Sequence, residues 1–416
     1  MRRMRVLALC TVLGAALGAT SHAHAQAGLT ERLRIQGIYS NQTGKTPPDD
    51  FAGQVVPELS LLVLGKRSQL RVTYTFAATA HTTLPTDIAN RVSLTSTFEL
   101  SKRTTLLLSA DAGHSTVANA LILGGSSTVP VGAVPLTTGQ LLTTRVSEGT
   151  SWEAGPVVRF NQSVGASYIT TIDAPQSLDS YLVNAIVSVD RTWKSDAVGI
   201  DFRGGYSVSR AEPLPQEHLI PLAVTPHWRH DISQTLSSSV AAGAFIVLSP
   251  DPGTRALVGP FGQASLTYLL DDATLSMIGS VGAQPNALTA QLLFAEQVTL
   301  RATAPLSIEH GVVASSSVGY VHSTIIDAAA NVARDPDADT FIADAGLGWL
   351  PTPAVELFAR YQFLQQVSAE SAVAATPQFQ RNAVILGIQL SSRPDPIHVP
   401  TRFPQRVDRS DAAPPP

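Results

Sequence analysis

Histidine, serine and carboxylate side chains most often carry out catalysis or bind metals, and their spacing in this sequence supports neither role. The motif "HWRH" holds His227 and His230 on either side of a tryptophan and an arginine. No histidine has a metal-site spacing, and no G-x-S-x-G sequence positions a nucleophilic serine. Because tryptophan favours membrane boundaries, we interpret "HWRH" as an interfacial segment with polar neighbours. We therefore expect neither an enzyme nor a cofactor.

Three aspartates two residues apart, Asp335, Asp337 and Asp339, occur in "ARDPDADT". Clustered carboxylates suit Ca²⁺, but the spacing of an EF-hand loop and its terminal glutamate are absent. A solvated acidic loop is the simpler interpretation, and we expect no metal site.

Charged residues at alternate positions of otherwise apolar stretches are the best functional lead. Such residues would line the water-filled lumen of a barrel or pair across strands to hold its wall, and the two roles are compatible. Their signs balance, which predicts no strong ion selectivity. The basic members are Arg71, Arg91, Arg159, Arg203, Arg229, Arg360 and Arg381, and the acidic members are Glu99, Asp111, Glu153, Asp190, Asp201, Asp344 and Glu356.

Alternation of apolar and polar residues marks the elements that would carry these charges. In "QLRVTYTFAA", residues 69–78, Val72 and Tyr74 belong to an apolar set that alternates with a polar set. The same period of two recurs in "RVSLTSTFEL", "AVGIDFRGGYSVS" and "VELFARYQF", and it is the period of an extended strand. We also assign Trp152 and Phe160 to one face of a single strand.

Connections between these strands alternate between short and long. Eight short and nine long connections imply eighteen strands, with sixteen as the alternative because the first strand, near residues 31–39, is the weakest. An even number places both chain ends on the side of the short turns, as in transmembrane β-barrels. The short connections lie near residues 65–68, 101–103, 161–163, 194–196, 230–233, 271–272, 304–309 and 351–353, and the long ones near 41–54, 79–90, 114–149, 172–180, 210–218, 249–256, 283–288, 322–339 and 366–379.

The N-terminal residues have the pattern of a secretory signal peptide. Arginines at positions 2, 3 and 5 precede an apolar run that ends near residue 19, and we expect cleavage after Ala25 or Ala27. A membrane anchor is the alternative, but the run is short and diluted by glycine and threonine. The single cysteine, Cys10, lies in this segment, so the mature chain would have no disulfide and no thiolate ligand.

Composition points to a protein with a large surface that does not contact water. Removal of the three signal arginines from the 28 basic residues leaves 25 against 32 acidic ones, a net charge of −7, which argues against nucleic acid as a partner. Charged residues make up 14% of the chain, whereas a soluble domain has about a quarter. No stretch after the signal is typical of a membrane helix, so insertion in a membrane would require a closed barrel.

A cleavable signal, amphipathic strands, alternating short and long connections and aromatic residues near the ends of the apolar faces resemble the Gram-negative outer-membrane β-barrel superfamily. The resemblance covers nearly the whole mature chain. It implies an all-β, antiparallel, up-and-down transmembrane barrel in the outer membrane, with lipid around an apolar outer face. Such barrels commonly end on an aromatic residue that the assembly machinery reads. Here the last strand, "RNAVILGIQL", is followed by a further segment, so the assembly signal would be internal, near residues 387–390.

We divide the chain into a signal peptide at residues 1–25, a barrel at 26–391 and a Pro/Arg-rich tail at 392–416. The tail cannot form a core, and it is either a mobile end or a docking segment for a periplasmic partner. The uncharged segment 115–144 either folds into the lumen as a constriction or covers the mouth of the barrel.

The resulting hypothesis is an aqueous channel with a Ser/Thr/Gly-lined, charge-balanced lumen that passes polar solutes. A hydrophilic polymer such as an exported polysaccharide would also suit a wide lumen above a docking tail, in outline like the barrels of polysaccharide secretion systems. The alternative is a non-conducting structural or adhesion barrel that binds partners through its outer loops and tail. The oligomeric state stays open.

Overall fold

The structure is a computed structural model that describes residues 26–43, 49–83, 85–116, 140–172, 178–211, 216–250, 256–270, 272–285, 292–307, 309–327, 332–333, 338–368 and 379–392. No helical segment in these ranges has the length and apolarity needed to cross a bilayer. The strands are β1 (Gln26–Thr43), β2 (Asp49–Leu64), β3 (Ser68–His81), β4 (Asp87–Ser101), β5 (Thr104–Thr116), β6 (Gln140–Glu153), β7 (Val158–Ile172), β8 (Leu178–Thr192), β9 (Asp196–Ala211), β10 (Glu217–Asp231), β11 (Leu236–Leu248), β12 (Leu257–Leu270), β13 (Ala273–Pro285), β14 (Leu292–Ser307), β15 (Val312–Asp327), β16 (Val332–Ala333), β17 (Ala338–Thr352), β18 (Val355–Ser368) and β19 (Phe379–Ser391).

The described strands close into one barrel whose wall has eighteen antiparallel members. Each wall strand pairs with the next along the chain, and β1 pairs with β19 through a register in which Ile35 lies opposite Ile388. The two-residue β16 pairs only with the end of β15, and the wall continues directly from β15 to β17. The prediction of eighteen strands is confirmed, and closure leaves no strand edge exposed to lipid.

The short connections lie at one end of the barrel, which we call the turn end, and the longer ones lie at the other, the loop end. One predicted turn is wrong. Residues 161–163 lie inside β7, and the turn occupies residues 154–157, where the Ala154 N–H donates to the Val158 carbonyl at 3.0 Å. Gly155-Pro156 ends the strand because proline has no N–H to donate to the sheet. Trp152 and Phe160 therefore face each other across a hairpin, with ring centroids 5.4 Å apart.

The strands are longer than the ten residues that suffice to cross a membrane, and the predicted long loops are correspondingly shorter. Wall strands range from 13 residues in β5 to 18 in β1. His81, His114, His218 and His322 lie in strands rather than in loops. At the loop end, the outward side chains include polar residues such as Asn90 and Asp339 and exposed apolar ones such as Ile88 and Val367.

The two faces of the wall differ in chemistry as the alternation predicts. Tyr74, 44% exposed, and Val72 point outward, and their partners Leu59 and Leu61 on β2 do the same. The residues between them, such as Thr73, point inward, where the Thr73 hydroxyl lies 3.1 Å from that of Ser60. These exposed apolar side chains therefore form part of the outside of the barrel.

Aromatic side chains form a belt on the outer face at each end. At the turn end lie four exposed tryptophans, Trp152, Trp193, Trp228 and Trp349. At the loop end, outward tyrosines hydrogen-bond a polar side chain on a neighbouring strand. The pairs are Tyr74 with Asn90, Tyr168 with Asp179, Tyr206 with His218, Tyr320 with Asp339 and Tyr361 with Asn382, at 2.6 to 3.1 Å.

The distance between the belts matches a lipid bilayer. Trp228 pairs with Val198, and Tyr206 lies eight residues further along β9. At about 3.3 Å per residue and a strand tilt of about 40°, the two belts are roughly 20 Å apart along the barrel axis, close to the ~25 Å apolar band of outer-membrane barrels. Because tryptophan and tyrosine favour the two membrane–water interfaces, this band spans the bilayer. The chain is a transmembrane β-barrel.

Candidate functional site on the inner wall

The charged residues that alternation assigns to the polar face all lie in wall strands, and their registers place them on the inner face. Each stands at a position whose sequence neighbours carry the outward side chains. By strand, they are Arg71 in β3, Arg91 and Glu99 in β4, Asp111 in β5, Glu153 in β6, Arg159 in β7, Asp190 in β8, Asp201 and Arg203 in β9, Arg229 in β10, Asp344 in β17, Glu356 and Arg360 in β18, and Arg381 in β19.

Many of these charges are paired. The ion pairs connect adjacent strands or positions two apart in one strand. Pairing that holds the wall is one of the two roles predicted from the sequence for these charges, the other being to line the lumen. They are Arg91–Asp111 at 2.7 Å, Arg159–Glu153 at 2.9 Å, Arg203–Asp201 at 3.0 Å, Arg229–Asp231 at 3.5 Å and Arg360–Asp344 at 2.5 Å.

A cluster around His227 joins four strands in the half of the barrel nearer the turn end. His227 Nε2 lies 2.6 Å from one carboxylate oxygen of Asp190, and Nδ1 lies 3.3 Å from Asp201. Asn161 donates to the other Asp190 oxygen at 2.7 Å. The Asp190 carboxylate therefore joins Asn161 on β7 to His227 on β10, and the contact of His227 with Asp201 adds β9, so the cluster links β7, β8, β9 and β10.

Gly199 makes the contact between Asp190 and His227 possible. β9 lies between β8 and β10, and the Asp190–His227 contact passes over it at Gly199, which is paired with both residues. A Cβ at this position would collide with the Asp190 carboxylate and the His227 ring. Glycine is therefore required here for close approach rather than for a special backbone angle.

A second network lies on the inner face where β1 and β19 close the barrel. Arg32 pairs with Glu58 at 3.0 Å, and Arg34 donates to Gln389 at 3.0 Å. Gln389 in turn donates to Glu356 at 3.1 Å, which connects β1 to β18 across the closing strand pair. The Arg34–Gln389 contact joins residues 355 positions apart in sequence, and the network holds the seam of the barrel.

Other inner charges have no such partner. Within the described part of the chain, neither Arg71 nor Arg145 has a side-chain hydrogen bond or an ion pair, and both side chains are exposed. Small hydroxyl residues lie between them, and some bond each other, as Ser109 does with Ser147 at 2.6 Å. This sector of the inner face, from β3 to β6, combines free guanidinium groups with a hydroxyl surface.

Apolar side chains also occupy part of the inner face, which the sequence did not predict. Near the loop end, Leu219, Phe245 and Val247 are buried together with Ile326. Phe261 packs against this group, and the guanidinium carbon of Arg203 lies 4.8 Å from the centroid of the Phe261 ring. Apolar packing and a cation–π contact therefore hold together β10 to β15 near the loop end.

The sequence analysis missed Arg32, Arg34, Glu58, Arg145 and His227. His227 could have been found, because it lies two residues before Arg229 and must share its face. The outward neighbour Trp228 is 47% exposed, so the interfacial interpretation of "HWRH" describes the tryptophan and not His227. Arg145 lies in a segment that we predicted as loop.

Several predicted features fall outside the described residues. The signal peptide at 1–25, residues 393–416 of the tail, residues 117–139 of the uncharged segment, and Asp335 and Asp337 are among them. The flanks of the uncharged segment, 115–116 and 140–144, belong to β5 and β6. Asp339 belongs to β17 and accepts hydrogen bonds from Tyr320 at 2.6 Å and from His322 at 2.9 Å.

Neither a family model nor a curated protein matches the sequence. Among solved structures, OccK2 (OpdF) of Pseudomonas aeruginosa in complex with glucuronate is similar, with 11% identity, 88% of this chain and 98% of that chain covered, and a TM-score of 0.47. Pseudomonas aeruginosa OpdK with vanillate has 10% identity, 87% and 98% coverage and a TM-score of 0.46. The copper transporter OprC has 10% identity, 88% and 80% coverage and a TM-score of 0.45. Likenesses of this size carry no functional information.

Proposed function

We propose that the barrel is a channel through which polar solutes cross the outer membrane passively. The observation that carries this proposal is the chemistry of the inner face, where charged and hydroxyl side chains line a closed eighteen-stranded wall. Barrels of sixteen to eighteen strands are wide enough to leave an aqueous channel unless a segment fills them. Water in the lumen would solvate the exposed Arg71 and Arg145, which a dry interior could not do at acceptable cost.

The mechanism needs no chemical step. A solute would exchange part of its hydration for hydrogen bonds with the hydroxyl and guanidinium groups of the wall, each weak enough to release it. The paired charges, such as Arg360 with Asp344, would hold the wall and contribute little net field. The unpaired ones would set the potential felt by a passing ion.

Ion selectivity tests this division between paired and unpaired charges. Replacing both Arg71 and Arg145 by serine is expected to lower the chloride-to-potassium permeability ratio roughly twofold or more, because a charge about 8 Å from an ion in water changes its energy by about 0.5 kcal/mol before screening. Reversal potentials across a salt gradient measure the ratio. The control is Lys66→Ser with Arg103→Ser, which removes the same charge from two turns outside the lumen. Equal ratios in the two double variants would contradict the assignment.

The proposal leaves two size classes of solute to be distinguished. Passage of small polar solutes and passage of a hydrophilic polymer, such as an exported polysaccharide, predict different size limits in a liposome-swelling assay. A sharp limit among oligosaccharides supports small solutes, and flux of dextrans supports the polymer. The tail at 392–416 supports passage of a polymer only if it docks a periplasmic partner. We propose such docking because the tail directly follows the last wall strand. Ser392, the one described tail residue, accepts a hydrogen bond from the Glu31 N–H at 2.9 Å.

A further inference from the structure

A polar patch interrupts the apolar outer face on β6 and β7. Glu148 and Thr150 on β6 and Gln162 on β7 all point outward, with Glu148 opposite the exposed Val164 and Thr150 opposite Gln162. The Thr150 hydroxyl donates to Glu148 at 2.6 Å. The Gln162 side chain is exposed and makes no hydrogen bond with any described residue. We call these three residues the Glu148 patch.

The Glu148 patch lies within the membrane band. Glu148 is four residues from Trp152, a member of the turn-end belt, and therefore rises about 10 Å above that belt. Other outward carboxylates lie at the belts themselves, where Asp196 accepts from Trp228 and Asp339 from Tyr320. Lipid chains offer no hydrogen bonds, so the Gln162 amide would lose its water without compensation, and Glu148 would keep only the bond from Thr150.

Small side chains lie beside the patch on its loop-end side, whereas Leu108 and Val164 lie directly opposite Glu148. Ala110 and Ala112 on β5 and Ala166 on β7 point outward in the same sector. Across much of the remaining outer face, leucine, valine, tyrosine and phenylalanine occupy such positions. Small residues allow two membrane-embedded surfaces to approach closely, and polar side chains between them then form hydrogen bonds that lipid cannot supply.

We propose that the Glu148 patch is the contact surface with a second copy of this chain. The patch is self-complementary, since it holds a carboxylate that can accept further hydrogen bonds beside the one from Thr150 and an amide donor that bonds no described residue. Two barrels in the same membrane orientation, related by a two-fold axis along the membrane normal, would place Glu148 of each opposite Gln162 of the other. A two-fold interface makes that contact twice. The pairing satisfies both groups and explains their position in an apolar band.

Cysteine cross-linking of the mature protein in lipid vesicles tests the proposal, because its only cysteine, Cys10, lies in the predicted signal. Val146→Cys places a thiol beside the patch without changing it. Val318→Cys is the matched control on β15, nine wall strands away on the opposite side, and both valines are exposed, at 48% and 42%. Oxidation is expected to give cross-linked dimers with Val146→Cys and mainly monomers with Val318→Cys.

Glu148→Leu distinguishes a dimer contact from chance collision. In the Val146→Cys background it should weaken dimerisation roughly tenfold, because the contact occurs twice and each hydrogen bond in a membrane contributes modestly. The free energy of unfolding of the diluted monomer should not fall, since leucine suits lipid. Equal cross-linking at positions 146 and 318, or a yield that Glu148→Leu leaves unchanged, would overturn the proposal.

Discussion

Val298→Arg is expected to lower the stability of the barrel in lipid by about 1 kcal/mol, because it places an arginine on the lipid-facing side of a strand at the level of the tyrosine belt, where the cost is smaller than at the bilayer midplane. Val298 lies at the centre of β14, is 43% exposed on the outer face, and pairs with Gly279 and Tyr320. The measurement is the denaturant dependence of folding into vesicles, with the shift in gel mobility of the folded barrel as a second readout.

Thr299→Arg is the matched control for this prediction. Thr299 is the next residue of the same strand and points inward, beside Gly319, where water would solvate the new guanidinium. Folding should be nearly unaffected, and the charge should appear as an altered conductance. If Val298→Arg folds normally and Thr299→Arg does not, the faces of this strand are reversed.

Gly387→Ala is expected to destabilise the seam of the barrel by about 1–3 kcal/mol, the usual cost of extra volume in a packed position. A Cβ on Gly387 would lie 2.5 Å from the Phe358 ring, 2.7 Å from the Ile35 carbonyl oxygen and 2.9 Å from the Gln36 Cβ. The ring could rotate, but the carbonyl oxygen belongs to the backbone of β1. Relief would therefore require β1 and β19 to separate at the point where the barrel closes.

Gly53→Ala provides the control for the seam prediction. Gly53 is also a strand glycine near the seam, in β2, and a Cβ at this position would meet nothing within 4 Å. It should leave the unfolding midpoint unchanged or raise it slightly, since alanine restricts the unfolded chain. Comparable losses in both variants would mean that glycine content, and not the close contact at Gly387, determines the effect.

Strand number and face assignment could be predicted because a period of two is a local property of the chain. Arg203 and Arg360, for example, are inward because their neighbours Phe202 and Tyr361 are outward. The misplaced turn near residue 161 shows the limit of this reasoning. Polar residues such as Asn161 occur both at alternate positions of a strand and in turns, so they do not distinguish the two. Gly155-Pro156 was the stronger turn signal.

The pairing of the charges could not be predicted, because it depends on the register between strands. Arg32 meets Glu58 through the register of β1 with β2, and Arg34 meets Gln389 only once the barrel has closed with a particular stagger. The apolar group around Phe245 was missed for a related reason. Its members come from successive strands, β10 to β15, so no single segment of sequence carries its pattern.

Single-channel recording of the full mature protein in planar lipid bilayers tests the central claim most directly. An open lumen lined by the inner face predicts large, steady openings whose ion preference changes when Arg71 and Arg145 are replaced. A protein that is folded by gel mobility and inserted in the bilayer, yet carries no current at any voltage, would contradict the channel and support a structural or adhesion barrel.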